Sequence, residues 1–160
     1  NRGAIAACRP GVAFNQPHDV ATQILVDGLI ALGLLRGAAQ ALIASCAHEK
    51  FCPHKTSHWL GLDVHDVGDY RLGEQWRDLM PGMVLTVEPG IYIPRDSTTA
   101  DVPEAFRGIG IRVEDSVLIT PQGCQVLTED LLKDPDEIER WMATKGSVGQ
   151  SAQGLKEVVA

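Results

Sequence analysis

The chain has no CxxC pair, no long apolar run and few positive charges, and each absence excludes a class of protein. Its 160 residues hold four cysteines, Cys8, Cys46, Cys52 and Cys124. Unpaired in this way, they read as reduced thiols of a cytoplasmic protein and not as a disulfide framework. Cys46, His48, Cys52 and His54 form a C-x-H-x3-C-x-H pattern of soft ligands. Zinc sites usually separate a close cysteine pair from a close histidine pair, and this interleaved spacing does not match. The most apolar window, residues 24–35, is broken by Asp27, Gly28 and Gly33 and is too short to span a bilayer. No signal peptide is recognisable. Lys and Arg total 14 against 21 Asp and Glu, a net charge of −7. That balance disfavours nucleic acid, whose phosphates need a basic face. There is no initiating Met, and the opening at Asn1 reads as a cut through a longer protein.

What is present suffices for one domain with a core: 44% of residues are hydrophobic, an ordinary share for a globular chain. The first part is helical in pattern. Residues 15–19 look like a helix entry, with Pro17 and Asp19 near the first turn. Apolar residues then recur at roughly helical period over residues 20–35, with Gly33 as a stop. His18 is expected to be an exposed residue of that entry. Residues 37–48 form a second, shorter helical stretch. Residues 71–78 are polar and read as a loop. Short β-like runs follow at 83–87, 91–93, 109–113 and 117–120, with 125–127 pairing back after a turn at Gln122-Gly123. Residues 94–107 read as an exposed connection. A last helix is expected over 135–142, with Asp134 as its N-cap. The domain is expected to cover residues 1–145, followed by a flexible tail over 146–160. The fold class is therefore α+β, helices first and then a curved antiparallel sheet.

The chemistry gathers in HKTSHWLGLDVHDVG, residues 54–68, which holds His54, His58 and His65, three of the five histidines. Imidazole titrates near neutrality and ligates metals when neutral. Downstream, Glu88 in VLTVEPGIYI and Glu114 in GIRVEDSVLIT each interrupt an apolar run. A carboxylate in a buried strand is costly without a partner, and a metal ion is one such partner. One imidazole with two carboxylates is a hard, oxygen-rich set that suits Mn2+ better than a thiolate zinc site does. Each residue also has a purely structural reading: His58 as a hydrogen-bonded core histidine, Glu88 as a strand-end carboxylate bonded to backbone N–H groups. Arg112, two residues before Glu114 and on the same strand face, suits either a structural pair with Glu114 or contact with substrate charge. Asp63, Asp66, Asp69 and Asp115 are metal-ligand candidates by residue type only, Asp63 and Asp66 being better explained as turn residues.

Together, HKTSHWLGLDVHDVG, PGMVLTVEPGIYIP and FRGIGIRVEDSVLIT resemble the catalytic domain of aminopeptidase P, the Xaa-Pro aminopeptidases among the pita-bread metallopeptidases. The resemblance runs from about Arg9 to Met142. It implies the second half of a pita-bread domain, with His58, Glu88 and Glu114 as metal ligands and Glu114 bridging two Mn2+ ions. It implies that His54 and His65 line the substrate pocket and stabilise the tetrahedral intermediate. Tyr92 and Arg112 match residues near the active site. Glu88 matches the carboxylate that handles the proton of the attacking water. The implied reaction is metal-assisted hydrolysis of the Xaa-Pro bond at a peptide's N-terminus.

Two departures stand out. Lys55 replaces the small glycine common after His54, so it must point away from substrate or alter the backbone there. The family's two aspartate ligands have no counterpart motif, which predicts a chain inactive alone. The full-length protein is expected to be a homo-oligomer acting on peptides with proline second, without nucleic-acid or membrane partners. Prolidase, a dipeptidase of the same fold, and a non-catalytic interaction module are the alternative readings.

Overall fold

The chain order of helices before strands carries over into three dimensions. The structure is a computed structural model and describes residues 1–96 and 102–144. Helices α1 (Arg2–Ala7), α2 (Gln16–Ala31) and α3 (Ala39–Ala44) come first. Strands β1 (Arg71–Leu72), β2 (Gln75–Trp76), β3 (Val84–Val87), β4 (Gly90–Tyr92), β5 (Gly110–Arg112), β6 (Asp115–Thr120) and β7 (Gly123–Val126) follow, and α4 (Pro135–Thr144) is last. The chain divides into one unit over Asn1–Thr128 and a second from Glu129 onward. The domain boundary expected near residue 145, and the tail after it, lie outside the described residues.

Helix α2 begins as its sequence suggests, with Asn15 as N-cap, a proline in the first turn and Asp19 near the positive dipole end. It stops at Ala31, just before the expected stop at Gly33. Gly33 takes a φ of +74°, and the Leu34 and Leu35 amides both donate to the Leu29 carbonyl. This glycine-terminated cap folds Leu34 and Leu35 back into the core beside Leu29 and Phe51.

His18 departs from expectation. It is half-buried, with Nδ1 3.0 Å from Thr56 Oγ1 and Nε2 3.5 Å from Lys55 Nζ. The first turn of α2 therefore lies against the start of the histidine segment, and Lys55 points toward that turn. Burial first, then Lys55, lowers the pKa of His18 to about 4, with His48 and His54 acting in the same direction and Glu49 opposing. The ordinary value near 6.5 applies in the unfolded chain. As pH falls from 6.5 toward 4 the unfolded state gains a proton that the folded state refuses, so stability drops across that window and levels off below it. Urea denaturation midpoints measured from pH 7 to pH 4 are expected to fall less steeply in His18→Gln than in the wild type.

Residues 71–78 are not a plain loop. Strands β1 and β2 form a small antiparallel hairpin around Gly73, whose φ is +65°, and the Arg71 guanidinium lies 3.9 Å from the Trp76 ring centroid. Strands of two residues show no alternation for periodicity to detect.

The site is positioned by one long antiparallel ribbon with a shared break. β3 pairs with β6 in a register that sets Val87 opposite Asp115, and β4 pairs with β5 so that Gly90 faces Arg112. Between these pairs the chain leaves the ladder at Glu88-Pro89 on one strand and at Val113-Glu114 on the other. β7 pairs back on β6, as the turn at Gln122-Gly123 predicts. On the free edge of β3, the segment around His58 adds as a further strand. Trp59 bridges Leu85, Thr86 N donates to His58 O, and Glu88 N donates to Thr56 O. Leu85, Val87, Val117 and Ile119 fill the core beneath, with Phe14 and Trp59. Gly68 is required in this packing: its φ is +154°, and a Cβ there would lie 2.8 Å from the Trp59 ring.

In the second unit, Asp134 Oδ1 accepts from the Asp136 and Glu137 amides at 3.1 and 3.4 Å and starts α4 as expected. Among the described residues no helix is long and apolar enough to cross a membrane.

Candidate metal centre

Three donors meet at the shared strand break. His58, Glu88 and Glu114 each offer a ligand atom, and these atoms all lie within 4.8 Å of one another. Glu88 is 8% exposed, whereas Glu114 is exposed and lies between β5 and β6 rather than in a buried strand. The set Cys46, His48, Cys52 and His54 forms no such group among the described residues. Burial also raises the Cys52 thiol to about 11, and the Cys8 thiol, with Cys124 contributing, to about 12. Thiols held protonated in this way are poor ligands.

The hydrogen bonds fix the tautomer of His58. Its Nδ1 lies 2.9 Å from the Trp59 carbonyl, which can only accept, so Nδ1 carries a proton and, in the neutral ring, Nε2 presents a lone pair. That lone pair faces Glu88 Oε1 at 3.1 Å. Two acceptors at this separation repel unless positive charge stands between them, supplied by a cation or by a second proton on the imidazole. The nearby carboxylate of Glu114 adds negative charge, so the residues present fit a divalent ion chemically.

A second chain of contacts runs beside the first. Arg112 Nε donates to the Tyr92 hydroxyl at 2.6 Å, and that hydroxyl lies 2.9 Å from His54 Nε2. His54 Nδ1 is 2.8 Å from the Lys55 carbonyl. The tyrosine proton therefore points to His54 Nε2, and both ring nitrogens of His54 are engaged. Arg112 Nη1 also lies 3.5 Å from Glu88 Oε2. Arg112 thus turns to Glu88 and Tyr92, and no Arg112–Glu114 ion pair forms among the described residues. The Tyr92 hydrogen bond, before other causes, raises the guanidinium's pKa further. Gly90 makes room for this arrangement, because a Cβ there would lie 2.8 Å from two ring carbons of Tyr92. His65 is exposed and packs its ring edge-on against His58, with centroids 4.2 Å apart.

A metallopeptidase family model, that of family M24, matches residues 1–121. The chain belongs to this family. It is 52% identical over 134 residues to the Xaa-Pro aminopeptidase of Escherichia coli K12, covering 84% of this chain and 30% of that protein. It is 47% identical over 139 residues to the Xaa-Pro aminopeptidase of Haemophilus influenzae, covering 87% of this chain and 31% of that one. Among solved structures, Pseudomonas aeruginosa aminopeptidase PepP superposes with a TM-score of 0.88 at 47% identity, over 91% of this chain and 33% of that chain. Escherichia coli aminopeptidase P with the inhibitor Pro-Leu gives 0.82 at 49% identity, over 89% and 32%. This M24 chain thus has the pita-bread, α+β architecture of these aminopeptidases over the part it matches, about 30% of the curated relatives' length.

Two residues that sequence reading passes over support the M24 site. Asn1 Nδ2 donates to the carbonyls of Val87 and Val113, at 3.0 and 3.1 Å, and so ties together the peptide groups just before Glu88 and Glu114. Thr86, in the middle of a buried apolar strand, bonds toward both His58 and Glu88. A hydroxyl in an otherwise apolar run is the signal that could have found it.

Proposed function

We propose that this chain supplies part of the active site of a manganese-dependent Xaa-Pro aminopeptidase of the cytoplasm, acting on peptides with proline in second position. The carrying observation is the His58 Nε2 lone pair set 3.1 Å from a Glu88 oxygen, with Glu114 completing the group. His58, Glu88 and Glu114 would hold a divalent ion, Mn2+ being favoured by the oxygen-rich donor set. A zinc-substituted form exists for the Escherichia coli relative, which fits a site selective for charge and geometry more than for one element. Bound divalent ions lower the pKa of coordinated water and polarise a scissile carbonyl.

The chain's own residues have distinct tasks in this reading. Glu88 is the proton carrier: Oε1 faces the ion site, and Oε2 is held toward Arg112. Arg112 holds the Oε2 side of that carboxylate and orients Tyr92. His54 and His65 line the pocket and steady the charge that builds on the substrate oxygen. For His54 this requires release of the Tyr92 hydroxyl and a proton on Nε2, because both ring nitrogens are engaged in the present arrangement. Tyr92 therefore sets when His54 can reach substrate. Two ions need two aspartates beyond this three-residue group, so the chain by itself is expected to be inactive.

Calorimetric titration of the chain with Mn2+ is expected to show weak binding. Glu114→Gln should weaken it by at least about tenfold, and His58→Ala should remove it. Equal binding by all three proteins would refute the assignment. For the complete enzyme, cleavage of an Xaa-Pro-Yaa tripeptide is expected. Cleavage restricted to Xaa-Pro dipeptides would identify a prolidase instead.

A further inference from the structure

Thr86 links two of the proposed ligands through one oxygen. It is 2% exposed, the one hydroxyl in a strand whose neighbours Leu85 and Val87 are wholly buried. Its Oγ1 accepts the backbone N–H of His58 at 3.1 Å. The same oxygen donates its proton to Glu88 Oε1, also at 3.1 Å. That carboxylate oxygen is the one facing His58 Nε2. Two hydrogen bonds therefore run from the His58 backbone through the Thr86 hydroxyl to Glu88, whose Oε1 in turn faces the His58 side chain.

We propose that Thr86 is a positioning residue. Its hydroxyl sets the separation of His58 Nε2 and Glu88 Oε1 and so prepares the site for its ion. The inference rests on the metal-site reading above. A side chain inside a strand points out of the sheet plane, and backbone amides normally bond to backbone carbonyls of the neighbouring strand. Here the His58 segment adds to the edge of β3 with Trp59 opposite Leu85, which brings the His58 backbone within reach of the Thr86 side chain. The donor–acceptor order is also forced. The backbone amide can only donate, so Oγ1 must accept from it, and the hydroxyl proton is left for the carboxylate. A carboxylate oxygen that accepts this bond is held in orientation, and the burial of Thr86 and Glu88 limits competition from water. Valine fills the same volume but offers neither bond. Serine keeps both bonds and loses a methyl group.

Three proteins test this: the wild-type chain, Thr86→Val and Thr86→Ser. The first readout needs no metal. Amide hydrogen exchange followed by NMR should show the His58 N–H exchanging at least tenfold faster in Thr86→Val than in the wild type. Thr86→Ser should stay within threefold of the wild type, and the Leu85 and Val117 amides should be unchanged in all three. Equal His58 protection in the valine variant, with a folded core, overturns the linkage. The second readout is Mn2+ affinity from paramagnetic broadening of the amides around His58 and Glu88. A loss of roughly tenfold or more is expected for valine, with recovery for serine. If wild type and valine variant bind equally, Thr86 does not prepare the site. If the wild type shows no binding, the metal reading itself fails, while the exchange result still decides the hydrogen-bond linkage. Should the valine variant not fold, wild-type spectra still decide: a slowly exchanging Thr86 hydroxyl proton with a nuclear Overhauser contact to the His58 amide is expected, and its absence counts against the proposal.

Discussion

Glu88→Gln is expected to abolish measurable Mn2+ binding, a loss of about 100-fold or more, while leaving the metal-free chain at least as stable as the wild type. The two effects have opposite signs because of one contact. In the wild type the His58 Nε2 lone pair faces a carboxylate oxygen at 3.1 Å, an arrangement that waits for positive charge. Glutamine can turn its NH2 group toward Nε2 and donate, which replaces repulsion with a hydrogen bond. The variant also removes a buried negative charge, whose desolvation opposes folding. Lost are the Thr86 hydroxyl's bond to Oε1, worth about 1 kcal/mol and offset by the new bond to Nε2 and the removed charge, and the contact to Arg112, at 3.5 Å and with the guanidinium side chain 46% exposed; an exposed pair of this kind contributes little. Thermal denaturation in a chelator, with and without added Mn2+, separates the two effects. A large drop in metal-free stability would mean that the His58–Glu88 contact is an imidazolium ion pair that holds the fold together, and the ion-site argument would fall with it.

The second large effect is on the scaffold. Leu85→Ala is expected to cost about 3 kcal/mol and to lower the melting temperature by about 10 °C or more. Leu85 is 0% exposed, sits opposite Val117 in the β3–β6 ladder and is bridged on its other side by Trp59. Three elements lose contacts when it is truncated, and a packed core closes over such a gap only in part. Leu62→Ala is the control. Leu62 stands fully exposed in the histidine segment, at 103% of its reference area, so its truncation should change stability by less than about 0.5 kcal/mol. Similar costs for the two leucines would contradict the placement of the core.

These two leucines show how unevenly the structure was legible. Both lie in apolar runs, and composition does not separate them. Leu85 could be placed because a run of four to five apolar residues between Pro-Gly turns has the length of a buried strand. The segment around Leu62 adds to a sheet edge only near Trp59, and its exposed remainder follows from that one bridge. Gly33 ends α2 as its sequence suggests, α3 is shorter than the expected 37–48, and α4 runs two residues past 142; helix ends depend on which neighbouring residues can be buried, as Leu34 and Leu35 are after α2. The hairpin of β1 and β2 was missed because two-residue strands carry no period. His18 was misplaced because a helix entry is exposed by default and only a packed neighbour reverses that.

For the site, the sequence alone pointed to the candidate residues. Histidine and glutamate stand where apolar runs are interrupted, and a buried ionisable group needs a partner, which holds for Glu88 but not for Glu114, exposed between β5 and β6. The choice among partners is not local. Whether Glu88 meets His58, whether Arg112 turns to Glu114 or to Glu88, and which nitrogen of His58 carries its proton depend on strand register and on carbonyls contributed by other segments. Only the tertiary structure decided these. It did so by breaking two paired strands at the same level and adding the His58 segment to the edge of β3. The His58–Thr86 bond and the His58–Glu88 contact follow from that arrangement, because backbone donors and acceptors distant in sequence must be satisfied together once the strands close.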